Sequence, residues 1–445
     1  MMTKLWQKDK EVDASVDAFT VGRDREMDMM LAKSDVIGSL AHTKMLSSIG
    51  LLTQKELTDI HRALKNIYKE IEQGVFQIDT SSEDIHSYIE LRLTQEIGEA
   101  GAKIHSGRSR NDQVLVDIKL FLREELWSVT QLMKELFETL QVLSDRYKKV
   151  LIPGYTHLQV AMPSSFGLWF GAFAESLTDD LRILKSAYDI SNRNPLGSAA
   201  GYGSSFPLNR SYTTELMGFE GLNYNVVYAQ MGRGKSEKIA SFALASVATT
   251  LSRLAMDNCM FMCQNFGFVS YPDEFTTGSS IMPHKKNPDV WELVRGKCNL
   301  LQALPNTISM LTINLPQGYN RDLQLLKEHI FPAFSELKSC LTMSKTMLEH
   351  IVVKENVVSE GRYDYLFSVE QVNKMVLEGV PFRKAYKSVG RVIENGSYTP
   401  IRDLNHTHEG SIGNLCNNEI QDVFMSLLSS FNHEKVVCKL EKLVR

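Results

Sequence analysis

The chain reads as all-α: three mostly helical domains, the middle one an elongated bundle of long helices that assembles into a multi-chain helical core. Three observations carry this reading. Between residues 111 and 150, Val114, Ile118, Leu122, Leu126, Val129, Met133, Leu136, Leu140 and Leu143 recur every three or four positions, with no Pro or Gly among them. A helix of about 40 residues is roughly 60 Å long, well beyond the usual three or four turns. Residues 236–265 repeat the pattern through Ile239, Phe242, Val247, Leu251, Leu254 and Phe261. Strand signals are few, Phe268-Val269-Ser270-Tyr271 being a short one. Helices this long, each with a broad apolar stripe, must bury it against one another or against another chain.

The remaining elements follow in order. Residues 33–49 and 53–73 carry shorter amphipathic helices in an N-terminal domain, 1–107. The central domain, 108–356, holds the long helices, a loop at 275–289 and two further helical segments, 289–312 and 322–351. Pro305 and Pro332 are expected to kink or break these two segments. From 357 to 445 the pattern shortens, interrupted by Gly361, Gly379, Pro381, Gly390 and Pro400, and a small helical domain is expected. There is no internal repeat and no low-complexity stretch.

Composition narrows the function classes. The 445 residues are 43% hydrophobic and 23% charged, with a formal net charge of -4, so nucleic acid and anionic membranes are not expected partners. The charged first ten residues lack the apolar stretch of a signal peptide. No uninterrupted apolar run reaches the ~18 residues that span a bilayer. Cys259, Cys263, Cys298, Cys340, Cys416 and Cys438 form no CxxC pair and read as free thiols of a reducing compartment, so a cytoplasmic location is expected. No Cys, His or Asp cluster has metal-ligand spacing, and neither metal nor organic cofactor is implied.

The chemistry concentrates in Thr277-Gly278-Ser279-Ser280-Ile281-Met282-Pro283-His284-Lys285-Lys286-Asn287-Pro288-Asp289. Gly278, Pro283 and Pro288 make this a loop. Its hydroxyls, ammonium groups and carboxamide suit it to grip a carboxylate while charge builds up. Three further segments stand out: Gly107-Arg108-Ser109-Arg110-Asn111-Asp112-Gln113, Gly154-Tyr155-Thr156-His157-Leu158-Gln159, and Tyr319-Asn320-Arg321-Asp322-Leu323-Gln324 with Lys327 beyond it. Gly379-Val380-Pro381-Phe382-Arg383-Lys384-Ala385 lies near the C-terminus. With the loop, these motifs resemble the fumarase/aspartase superfamily, and within it the argininosuccinate lyases; the match runs from Glu83 to about Asn414.

That resemblance implies reversible anti elimination of argininosuccinate to arginine and fumarate, without a cofactor, in a homotetramer whose sites are shared between chains. It implies Ser279 as the base, His157 as the acid, Lys285 and Asn287 as holders of the fumaryl carboxylate, and Glu292 as partner of the histidine. It further implies substrate binding by Ser109, Arg110, Asn111, Thr156, Tyr319, Gln324 and Lys327. Glu83-Asp84-Ile85-His86 matches as a supporting element. Departures fall at Leu5-Trp6-Gln7-Lys8-Asp9, Phe19-Thr20-Val21-Gly22, Ser198-Ala199-Ala200-Gly201-Tyr202-Gly203, Gly232-Arg233-Gly234-Lys235 and His284. The alternatives are a sibling lyase acting on another fumaryl-amine adduct, such as adenylosuccinate, and a catalytically silent homologue. Geometry supports the shared site independently. Asn111 opens the longest helix and His157 lies past its end, roughly 60 Å away in one chain.

Overall fold

The computed structural model describes residues 13–79 and 82–445, so the Leu5–Asp9 departure and the charged N-terminus lie outside the described residues. The N-terminal part contains α1 (Ala14–Val21), α2 (Asp24–Met29), α3 (Ala32–Ser48), α4 (Gln54–Glu72), α5 (Ile85–Ile97) and the short α6 (Glu99–Ala102). Helices α3 and α4 fall where the amphipathic spacing puts them. Thr53 starts α4 with a capping box: its Oγ1 accepts from Glu56 N–H at 3.3 Å, and its own N–H donates to the Glu56 carboxylate at 2.8 Å. Such a cap contributes about 1 kcal/mol. Val36, Leu40, Ile60, Leu64, Ile67 and Ile89 bury together as one apolar cluster with Val116 and Leu120 of the next helix.

That helix is α7 (Arg110–Arg146), 37 residues and about 55 Å long. Ser109 caps it, accepting from Asn111 N–H at 3.2 Å, while Asp112 accepts from Ser109 N–H at 2.8 Å. The chain then forms an antiparallel hairpin, β1 (Leu151–Thr156) and β2 (Gln159–Ser165), with Thr156 opposite Gln159. Helix α8 (Phe166–Ser191) returns along the bundle. A short parallel pair follows, β3 (Arg193–Asn194) and β4 (Gly221–Leu222), with α9 (Arg210–Leu216) between them and α10 (Val226–Met231) after. The bundle is completed by α11 (Lys235–Met262), α12 (Asp289–Leu301), α13 (Leu304–Thr312) and α14 (Leu326–Glu349). Strand β5 (Val269–Ser270) pairs with β6 (Val352–Val353).

Pro305 sits in the first turn of α13, after a break between α12 and α13. Pro332 does not break its segment: it lies inside α14, which continues to Glu349. Packing outweighs the lost backbone bond there. Phe331 and Phe334, flanking the proline, are fully buried with ring centroids 4.1 and 6.0 Å from that of Phe121. Helix α11 is long and apolar enough by composition to cross a membrane, yet Ala240, Leu244, Val247, Leu251 and Leu254 of it are buried in the bundle core.

The directions of the helices locate the site. Lys119 of α7 donates to Ser236 of α11 at 2.6 Å, so these helices start at the same end. Lys338 of α14 pairs with Glu125 at 2.8 Å and Lys345 with Glu135 at 3.7 Å, so α14 runs alongside α7 in the same sense. At the other end Tyr147 meets Phe166 at 6.5 Å, and Trp169, near the start of α8, packs on Phe261 at 5.1 Å. The C-terminal part adds α15 (Ser368–Leu377) and α16 (Phe382–Glu394), which share a small cluster of Val372, Ala385 and Val389. Finally α17 (Asn417–Ser429) and α18 (His433–Val444) return to the larger cores, Phe424 stacking on Phe137 at 3.9 Å and Leu443 joining the N-terminal cluster.

Candidate active site

The candidate residues fall into two groups at opposite ends of the bundle. At the end where α7, α11 and α14 begin, a cavity of about 130 Å³ is lined by Arg110, Asn111, Tyr319, Gln324 and Lys327, together with residues the sequence reading did not single out as ligands. Ser109 stands next to it as the helix cap. Asp112 anchors this corner: its carboxylate also accepts from Gly197 and Ala199 N–H groups, both at 2.9 Å, tying the 195–203 segment to the start of α7. Burial pushes the Asp112 carboxyl up to about 6 against those three backbone donors.

The cavity is strongly charged. Arg110 pairs with Glu83 at 3.2 Å and Asp84 at 3.1 Å, and Arg321 pairs with Glu83 at 3.2 Å. Gln324 donates to the carbonyls of Thr20 at 3.0 Å and Val21 at 3.3 Å, so the end of α1 lies against this rim. Lys327 is 3% exposed, and its Nζ lies 2.5 Å from both Asp24 and Asp28. Burial pulls the Lys327 ammonium pKa down, but Asp28 and Asp24 raise it above the ordinary value overall. Arg233 reaches the cavity from the turn before α11, held by Glu237 at 2.9 Å and by the Leu323 carbonyl at 2.8 Å. That turn requires Gly234, whose φ is 80° and whose added Cβ would sit 2.5 Å from Thr312 Cγ2. His86 forms the back wall, with Nδ1 hydrogen-bonded to buried Asp35 and 3.6 Å from Asp117. Burial opposes the His86 imidazolium, yet Asp35, Asp84 and Asp28 raise its pKa.

Asp24 and Asp28 were not named as site residues because each looks like an ordinary charge on a short solvated helix, and Arg321 was quoted within its motif without a role. The available signal was the spacing of Asp24 and Asp28, four apart and so on one face of a helix.

The second group lies at the far end. His157 and Leu158 form the hairpin tip with φ values of 54° and 59°, and His157 is exposed. The hairpin was absent from the sequence reading. Thr156 is the last residue of β1. Tyr155 packs on Phe266 at 5.5 Å, which sets the tip at the end where α11 finishes. The serine-rich loop begins at this same end, where Phe275 stacks on His350 at 4.1 Å, just past α14. Its two arms are bridged by Asn287 N–H donating to the Thr277 carbonyl at 2.8 Å. Ser279 Oγ accepts from the N–H groups of Met282 at 3.1 Å and Ile281 at 3.3 Å. Two donors on one hydroxyl oxygen favour its ionised form. Asn287 Nδ2 donates to the Gly278 carbonyl at 3.4 Å. Lys286 pairs with Asp273, whereas Lys285 makes no ion pair among the described residues. Glu292 stands in the first turn of α12. Among the described residues no hydrogen bond joins Glu292 to His157, so the pairing the resemblance implies is not made within the chain.

Helix α11 alone, 28 residues, separates the two ends by roughly 40 Å. No single small substrate spans that distance.

Comparison with known proteins identifies the family. A family model described as a lyase matches residues 7–302. An argininosuccinate lyase from Parabacteroides distasonis is 59% identical over 444 residues, covering 100% of both chains. One from Thermotoga neapolitana is 39% identical over 389 residues, covering 87% of this chain and 98% of its own. Among solved structures, an EDDS lyase variant with bound fumarate superposes with a TM-score of 0.80 at 20% identity, covering 98% and 97% of the two chains. A class II fumarase from Schistosoma mansoni gives 0.69 at 16% identity, covering 94% and 95%. At these identities the two structures attest the shared helical fold. By its motifs, its fold and its full-length relatives, the chain belongs to the argininosuccinate lyase family of the fumarase/aspartase superfamily.

Proposed function

We propose that the protein catalyses the reversible anti elimination of argininosuccinate to L-arginine and fumarate, a carbon–nitrogen lyase step of arginine biosynthesis in the cytoplasm. Ser279 takes the proton from the carbon beside a succinyl carboxylate. The resulting charge spreads onto that carboxylate, which Lys285 and Asn287 hold. The carbon–nitrogen bond then breaks, its electron pair goes to the guanidino nitrogen, and His157, tuned by Glu292, supplies the proton there. General acid and base groups of this kind each contribute about 10²–10⁴-fold, and electrostatic stabilisation of the carboxylate is usually the largest share. Ser109, Arg110, Asn111, Thr156, Tyr319, Gln324 and Lys327 bind the substrate.

The observation that carries this reading is the pair of N–H donors on Ser279 Oγ, beside a Lys285 without an ion-pair partner among the described residues. The split arrangement supports a homo-oligomer, and the family resemblance implies four chains. Each site takes the Asn111 end of one chain and the His157 end of others. Phe242, Met256, Leu293, Leu300 and Met310 support it, being 49–77% exposed along the central helices. The test is ultraviolet detection of fumarate release from argininosuccinate and adenylosuccinate assayed side by side. Release from argininosuccinate alone is expected. Release only from adenylosuccinate gives the sibling activity, and release from neither gives a silent homologue.

A further inference from the structure

The cavity at the start of α7 holds an imbalance of charge. Arg110 and Arg321 are matched by Glu83 and Asp84, and Arg233 by Glu237. Lys327 faces two further carboxylates, Asp24 and Asp28, each 2.5 Å from its Nζ. With both ionised, the Asp24–Asp28–Lys327 trio by itself carries one negative charge, and Asp84 and Asp28 also draw His86 on the back wall toward its imidazolium form. The two acids are not equivalent. Asp28 is 2% exposed at its side chain, and its second oxygen accepts the Ile85 N–H at 3.2 Å, so it is committed to the fold. Asp24, the first residue of α2, is 14% exposed, and among the described residues nothing but Lys327 engages its carboxylate. A half-matched carboxylate in a confined cavity is costly unless a cation completes it.

We propose that Asp24 is a specificity-determining residue that receives a nitrogen cation of the substrate's amine half, either the guanidinium or the α-ammonium group. This rests on the proposed lyase reaction and adds a recognition element to it. Hydrogen bonds between ionised partners are about twice as strong as neutral ones, so one such contact separates charged from neutral ligands. The groups facing Asp24 are Asp28, Lys327 and Asp84. Burial, then Asp28, push its carboxyl up to about 6. Asp24 accepts a cation only when ionised, so affinity for the amine half is lost as pH falls through about 6.

The reaction is first established with the wild-type enzyme by fumarate release from argininosuccinate. Inhibition constants are then measured for arginine, for citrulline (a neutral ureido group replaces the guanidinium) and for 5-guanidinopentanoate (no α-ammonium), with wild type, Asp24→Asn and Asp24→Glu. Wild type is expected to prefer arginine over one of the two analogues by roughly tenfold or more, which names the cation received. Asp24→Asn should abolish that preference and raise KM about tenfold with a smaller change in kcat, while Asp24→Glu retains part of it. The acid limb of kcat/KM near pH 6 should disappear in Asp24→Asn. An unchanged preference in Asp24→Asn overturns the proposal. So does an equal loss of affinity for all three ligands, which marks a structural role through Lys327. If wild type releases no fumarate from argininosuccinate, the reaction is wrong, and calorimetric arginine binding by wild type and Asp24→Asn decides the role of Asp24 alone.

Discussion

At the scale of single residues, the proposed base is a hydroxyl whose oxygen is already aimed at by two N–H groups of its own loop. Removing it should cost the transition state far more than the ground state. We expect Ser279→Ala to lower kcat by about 10²-fold or more while KM stays within a few-fold. A variant keeping above about a tenth of wild-type kcat would remove Ser279 from the role of base. Asp112 makes a different prediction. Its carboxylate satisfies three backbone donors, so Asp112→Ala strands them, at about 3 kcal/mol of stability. Urea unfolding measures this, and a loss below about 1 kcal/mol would show that water replaces the carboxylate. Legibility differed sharply at this scale. Ser279, Lys285 and Asn287 sit in a motif whose residue types are unusual together. Asp24, Asp28 and His86 take their roles from long-range contacts with Lys327 and Asp35, which the spacing of the two aspartates and the Glu83–His86 motif do not specify.

At the scale of elements, helices were legible because their periodicity is long and unbroken, as in α4, α7 and α11. The β1–β2 hairpin was not, because its turn breaks the usual rule. Two-residue turns with positive φ at both positions favour Asn and Gly, and here they are His157 and Leu158. Non-Gly residues in this region carry strain of about 1 kcal/mol each, which is kept where a side chain is needed. Leu158→Gly should therefore hold or raise the melting temperature. His157→Gly should leave the melting temperature intact while abolishing fumarate release. A folded, active His157→Gly enzyme would show that the strain at this position serves only the turn. The serine-rich loop is tied by one backbone bridge between Thr277 and Asn287, with Ile281 82% exposed. We propose that it closes over bound substrate, and hydrogen exchange across 277–287 should slow when fumarate is added. Equal exchange with and without fumarate would count against closure. We also propose domain boundaries at 107/108 and 356/357. The last two helices pack on the larger cores through Phe424 and Leu443, so cleavage near residue 400 should leave 417–445 attached.

At the scale of the whole molecule, the fold explains why the proposed catalytic and binding groups stand apart. Helices α7, α11 and α14 run in the same sense, so the Asn111 cavity and the His157 hairpin occupy opposite ends of one chain. We propose that an antiparallel neighbour in a shared bundle brings one end beside the other, with the exposed apolar residues of α11–α13 as the surface it would cover. On this proposal every site is built from more than one chain. The most direct test is complementation between Asn111→Ala and His157→Asn chains, each inactive alone, dissociated and reassociated together. Mixed oligomers will contain some sites with both wild-type groups, and the account predicts that fumarate release from argininosuccinate returns. No activity in hybrids proven to be well mixed, or a fully active monomer by sedimentation, would contradict it.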